Sequence, residues 1–195
     1  MNSPRCLPWL GVTLAMVAAL GLQGCELAVL GAAGSAAYSI AEDRRTSGTQ
    51  FDDETIQPRT QSRVSDRFGD KVHLTVTSFN RMALLTGEAP DQGLWASIGG
   101  IAKNTEKVRA VNNELVVGPN TDLSARSNDT YITSKVKSRM IEANKFPPNA
   151  VKVVTERGVV YLMGIVSTEE GAAAGETAAT TAGVVRVVKL FQYKT

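Results

Sequence analysis

Two cysteines, one histidine, no excess of either charge and no apolar run long enough to cross a membrane mark this 195-residue chain. Each scarcity closes off a class of function. His73 is the sole histidine, and no second histidine or paired cysteine stands at the spacing of a zinc site. A lone histidine acting as a general base needs a positioned nucleophile and an orienting partner. No serine here stands in a nucleophile elbow, and Ser134-Lys135 and Ser138-Arg139 belong to the surface of a helix. Asp52-Asp53-Glu54 reads as a helix start, where carboxylates suit the dipole, and lacks the spacing of a calcium loop. Gly31-Ala32-Ala33-Gly34 has neither the preceding strand nor the lysine of a phosphate loop. We therefore expect no catalytic, cofactor or metal residues. Lysine and arginine number 21 against 19 acidic groups, a net charge of +2 that is too small for a nucleic-acid footprint. Residues 122–195 carry 10 basic and 7 acidic groups, a mild bias toward anionic lipid if the charges cluster.

The N-terminus supplies the first positive signal. Arg5, the apolar run Leu10 to Leu22 and the small Gly24 follow the order of a cleavable secretion signal over residues 1–24. The run is shorter than the ~20 residues of a spanning helix. Leu22-Gln23-Gly24-Cys25 resembles the lipobox of bacterial lipoproteins, with Gln23 the less usual residue. The resemblance implies that Cys25 carries a diacylglyceryl group and an N-acyl chain of the palmitate kind. Two or more acyl chains hold a protein stably on a membrane. Cys6 falls in the removed segment, so no disulfide forms within the mature chain. The residue after the cysteine is Glu26 rather than Asp. In that family this implies export to the outer membrane, with the body facing the periplasm. Residues 25–50 read as the lipidated cysteine and a tether, Ala- and Gly-rich to Ile40 and charged to Gln50, either helical or flexible.

Beyond the tether the chain repeats. Val72–Val76 resembles Asn149–Val153, Leu84–Gly87 resembles Tyr161–Gly164, and Glu106–Val111 resembles Gly183–Val188, all at an offset of 77 residues. Asp53–Ile56 lines up with Asp129–Ile132 at 76. Four matches in one order indicate a duplicated unit of about 70 residues.

In the second copy Ser127-Asn128-Asp129 offers helix caps, and Ile132, Val136, Met140 and Ala143 recur at helical spacing. Pro147-Pro148 ends that helix. Val151–Val154 reads as a strand, Arg157-Gly158 as a hairpin turn and Val159–Met163 as the return strand. A helix from Thr168 to about Ala182, capped by Gly183, leads to a last strand over Val184–Tyr193. That strand reaches the sheet by a right-handed crossover and lies parallel to its neighbour. The first copy repeats the order. Its helix covers Asp53–Arg67, kinked or delayed by Pro58, its strands Lys71–Thr77 and Arg81–Thr86, its second helix Asp91–Asn104 and its last strand Val108–Val117. Gly99-Gly100 weakens that second helix or lets it pack closely on the sheet. The fold class is α+β (α/β sandwich): two units, each α-β-β-α-β, with two helices packed on a three-stranded mixed sheet. The polar linker Gly118–Ser127 leaves contact between the units open.

The Leu-x-Gly element after each second strand and the Val-x-x-Val element before the last strand resemble BON domains, small modules of bacterial envelope proteins. The resemblance covers residues 46–118 and 122–193. It implies a binding rather than a catalytic role: contact with anionic phospholipid of the phosphatidylglycerol kind, outer-membrane integrity and the division site, with envelope protein partners as the alternative. It also implies that the first helix of the second unit, Asp129–Glu142, is the membrane-contacting element. At about 100° per residue, Tyr131, Ser134, Ser138 and Ile141 fall opposite the core face of that helix. Lys135 and Lys137 flank the stripe, and Arg139 lies between the two faces. A Tyr and an Ile with serines between them form a shallow apolar strip for the headgroup zone, and the lysines reach phosphates. The competing assignment packs Tyr131 and Ile141 against the first unit. The first copy carries Thr55, Pro58 and Ser62 at the equivalent positions and has no such strip.

Overall fold

Four short polar side chains start the four helices found among the described residues, which are 43–194 of this computed structural model. The signal, Cys25 and the tether up to residue 42 lie outside them. Thr46 accepts from the Thr49 amide at 3.2 Å and opens α1 (Ser47–Phe68). Asp91 accepts from Leu94 at 2.9 Å and opens α2 (Gln92–Lys103). Asp122 accepts from Ala125 at 2.8 Å and opens α3 (Leu123–Ala143). Ser167 and Glu170 close a reciprocal capping box at the head of α4 (Thr168–Ala179).

The helices alternate with strands β1 (His73–Phe79), β2 (Met82–Ala89), β3 (Ala110–Asn113) and β4 (Val116–Val117) in the first unit. The second unit has β5 (Val151–Glu156), β6 (Val159–Val166) and β7 (Arg186–Tyr193). In both sheets the hairpin is antiparallel and the last strand runs parallel to the middle one. Each unit is therefore α-β-β-α-β, two helices on a mixed sheet. In the first unit the last strand is broken: β3 and β4 pair separately with β2. At the break the Trp95 indole donates to the Leu115 carbonyl and Asn113 donates to the Trp95 carbonyl. Leu115 then turns into the core.

Strand alternation gives each sheet two apolar faces. Val64, Leu74, Val76, Leu85 and Ile98 form the helix-side core of the first unit. Ile132, Val136, Met140, Val151, Val160 and Leu162 form that of the second. The opposite faces meet each other: Phe79 and Leu84 pack with Tyr161 and Met163 in one buried cluster. The two sheets are thus sandwiched back to back, with helices outside. Polar contacts cross the same boundary. Lys152 donates to the Ser78 carbonyl at 3.2 Å, and burial lowers its affinity for a proton. Burial, with Glu114 nearby, pushes the Tyr161 phenol up to about 12.

The structure moves several boundaries. Helices α1 and α3 begin six residues before Asp53 and Asp129, because Thr46 and Asp122 cap them. Neither aspartate starts a helix; each is buried in the second turn. Asp53 accepts from the Asn80 and Arg81 amides at 2.6 and 2.7 Å, from the Ser78 hydroxyl and from Arg45. Asp129 accepts from the Arg157 and Gly158 amides at 2.7 and 2.8 Å. Both clamp a hairpin turn whose two central residues have positive φ. Helix α1 continues through Pro58. Helix α4 ends at Ala179 with Thr180 as cap, so Gly183 does not cap it; Gly183, like Lys107 in the first unit, makes the left-handed turn into the last strand. The offset of 77 holds only for the hairpins. The helices and last strands repeat at 76, because the second unit has one more residue before its hairpin and the first has Pro90 after its own.

Candidate functional site: an exposed strip on helix α3

Helix α3 buries Ile132, Val136 and Met140 against its own sheet. Its opposite side faces solvent. Tyr131 is 62% and Ile141 58% exposed, so neither packs against the first unit. Ser134, Lys137 and Ser138 are exposed on the same side, while Lys135 and Arg139 are half-buried. The early start of α3 adds Leu123, 77% exposed, at the same angular position as Ile141. The apolar strip therefore runs from Leu123 through Tyr131 to Ile141, about 27 Å at 1.5 Å per residue.

Three of the hydroxyls along the strip are internally bonded. Ser127 donates to the Leu123 carbonyl, Thr130 to Arg126 and Ser134 to Thr130, each about one turn back. A hydroxyl bonded to its own helix presents mainly carbon to the outside, so the strip is more apolar than its composition suggests.

The three cations are not equivalent. Lys135 lies 4.6 Å from the Tyr131 ring centre and donates to the Ala182 carbonyl beyond α4. Arg139 donates to the Thr181 hydroxyl at 2.9 Å and to the Thr177 carbonyl. Both are thus partly committed to joining α3 to the end of α4, and Lys135 also braces the ring of Tyr131. Lys137 makes no ion pair among the described residues. Glu142, also exposed, puts one negative charge at the C-terminal end. The arrangement is a row of apolar side chains edged by cations. It suits an interface between water and an anionic apolar phase, and it offers no nucleophile beside a base. No helix among the described residues is long and apolar enough to cross a membrane.

Sequence reasoning reached Tyr131, Ser134, Lys135, Lys137, Ser138, Arg139 and Ile141, and the structure sets all seven on one side or edge of α3. It missed Leu123, although Asp122 followed by Leu123-Ser124-Ala125 carries a cap signal. Cys25 lies outside the described residues.

The family model of the BON domain matches residues 52–119 and 128–195. The chain belongs to the BON-domain family, with two copies in tandem. It is 36% identical over 178 residues to the outer membrane lipoprotein DolP of Haemophilus influenzae, covering 90% of this chain and 92% of that one. It is 32% identical to a 21 kDa hemolysin of Actinobacillus pleuropneumoniae, covering 77% and 79% of the two chains. To the osmotically-inducible protein Y of Escherichia coli it is 26% identical, covering 80% and 79%. The protein is a non-catalytic lipoprotein of the outer membrane, facing the periplasm.

Proposed function

We propose that the protein binds anionic phospholipid of the phosphatidylglycerol kind through the outer side of α3, and that acyl chains on Cys25 anchor it to the same membrane. The observation that carries this reading is the exposed row Leu123, Tyr131 and Ile141 with Lys137 beside it. Folding requires none of these side chains outside, and large apolar groups aligned on one solvent-facing helix mark an interaction surface. Ser134 and Ser138 keep the strip shallow, Lys135 and Arg139 hold its edge, and Lys137 meets phosphate. The anchor supplies attachment; the helix supplies choice of lipid. The protein would gather where anionic lipid is enriched and support envelope integrity there, the division site included.

The test is sedimentation of residues 43–195 with phosphatidylglycerol-containing or purely phosphatidylcholine vesicles. Pelleting with the first only, weakened by salt, is the expected result. A folded protein that pellets with neither would leave the strip to an envelope protein partner.

A further inference from the structure

The back-to-back sheets bring together three groups that lie far apart in sequence. His73 on β1 and Glu88 on β2 are directly opposite each other in the antiparallel ladder, and the His73 Nδ1 lies 3.0 Å from Glu88 Oε2. Glu156 arrives from β5 of the other unit. One donor atom from each of the three lies within 4.8 Å of the others. Glu88 is 0% exposed and Glu156 is buried. The second oxygen of Glu88, Oε1, has no hydrogen-bond partner; the Arg157 guanidinium stands 3.5 Å away as a loose ion pair.

The surroundings share this lack of partners. Four buried side-chain polar atoms among the described residues lack a hydrogen bond. Three of them, on Thr86, Glu88 and Arg126, are in or beside one cleft between the units. That cleft holds about 300 Å³, and its walls include His73, Thr86, Arg126, Asp129 and Glu156. Buried polar atoms are almost always paired, so such a concentration marks a place built for an occupant. Glu88, Glu156 and Asp129 bring three carboxylates, Arg126 and Arg157 two cations, and His73 is the remaining ligand. Asp129 is already taken up by the hairpin amides.

We propose that His73, Glu88 and Glu156 bind a divalent transition-metal ion of the zinc class, which staples the two BON units together. One imidazole nitrogen and two carboxylate oxygens form a donor set that zinc accepts, with water as fourth ligand. Ligand bonds of about 2.0–2.2 Å place tetrahedral donor atoms about 3.3–3.6 Å apart; the His73–Glu88 pair opens slightly from 3.0 Å, and Glu156 closes from no more than 4.8 Å. Calcium needs six to eight oxygens and magnesium a near-ideal octahedron, which three protein donors including a nitrogen do not supply. The cleft gives the ion a path from solvent. The single histidine gains through the fold the partners that its sequence neighbourhood lacks.

The test uses the full chain in detergent, stripped of metal by chelation and titrated with zinc chloride by calorimetry. A parallel titration uses cobalt(II), followed by visible absorption. The expected result is about one zinc per chain and a rise of several degrees in the thermal midpoint. The cobalt spectrum should be that of a four-coordinate site, and magnesium should produce neither effect. His73→Gln should abolish the binding, and Glu156→Gln should weaken it at least tenfold, with unchanged far-UV dichroism. His73→Gln also separates this site from zinc held by a free thiol. No saturable zinc binding, or binding equal in the two folded variants and the parent chain, overturns the proposal.

Discussion

Asp53 and Asp129 are the clearest case of a residue whose position was visible in sequence and whose role was not. The repeat aligned them, yet a carboxylate near a helix start reads as dipole compensation. The hairpin amides they hold lie 27 to 29 residues further on, and nothing local announces that contact. Hydrogen bonds to a buried charge contribute about 1.5–3 kcal/mol each, and unpaired buried amides add a penalty. Asp129→Ala should therefore cost about 3 kcal/mol or more in urea unfolding, and Asp129→Asn, which keeps one acceptor oxygen, clearly less. A loss below about 1 kcal/mol for the alanine variant would show that the turn holds without its clamp. His73 is the parallel case: its strand was legible, but Glu88 and Glu156 reach it only through the ladder and the packing of the sheets. Arg44 gives a residue-scale pH test. It binds Glu170 through two guanidinium contacts of 2.6 Å. These hydrogen bonds hold the Glu170 carboxyl down at about 2 against an ordinary 4.5. A depressed carboxylate stabilises fully above its unfolded value, and the gain vanishes as pH falls through the folded one. The stability gap between parent and Arg44→Ala should be constant above about pH 5 and narrow between 4.5 and 2, down to the part owed to the Arg44 bond with the Ile165 carbonyl. A gap independent of pH over that window would contradict the pairing.

At the scale of elements, period and punctuation carried most of the reading. Every α-helix, and every strand except the separate β4, was legible in kind, because buried faces repeat at 2 or 3.6 residues and Gly, Pro and cap residues separate them. Boundaries were less legible. Helices α1 and α3 each gained a polar first turn, Ser47–Asp52 and Leu123–Asn128, in which apolar periodicity is silent and only the cap speaks. The break between β3 and β4 was invisible because Trp95 on α2 and Asn113 on β3, 18 residues apart in sequence, create it together. Of the two readings open for Gly99-Gly100, close packing applies to Gly99, where a Cβ would meet the Asn113 amide at 2.9 Å, and not to Gly100, where a Cβ would meet nothing. The extra turn of α3 has a functional consequence. Leu123 is at the far end of the strip from Ile141, so Leu123→Glu should reduce vesicle binding severalfold without altering thermal stability. Binding unchanged in that variant would confine the contact to the stretch Tyr131–Ile141.

On the scale of the whole molecule, the duplication explains why the outer side of a helix is free to act as a binding surface. Each unit buries one face of its sheet under helices and the other against its twin, as the Phe79, Leu84, Tyr161 and Met163 cluster shows. With both sheets hidden, the outer sides of the helices remain the available surface. Among the described residues α1 exposes the single Phe51, whereas α3 exposes the row Leu123, Tyr131 and Ile141. This back-to-back packing was not legible in sequence: the linker Gly118–Ser127 left contact between the units open, and nothing local to Tyr161 and Met163 says what surface they meet. The most direct measurement is co-sedimentation of residues 43–195 carrying Tyr131→Glu and Ile141→Glu with phosphatidylglycerol-containing vesicles, beside the parent chain. Two carboxylates on an exposed face leave the fold intact, so the account predicts unchanged dichroism and melting with pelleting reduced to the level seen with neutral vesicles. Pelleting of the folded double variant equal to that of the parent chain would contradict it.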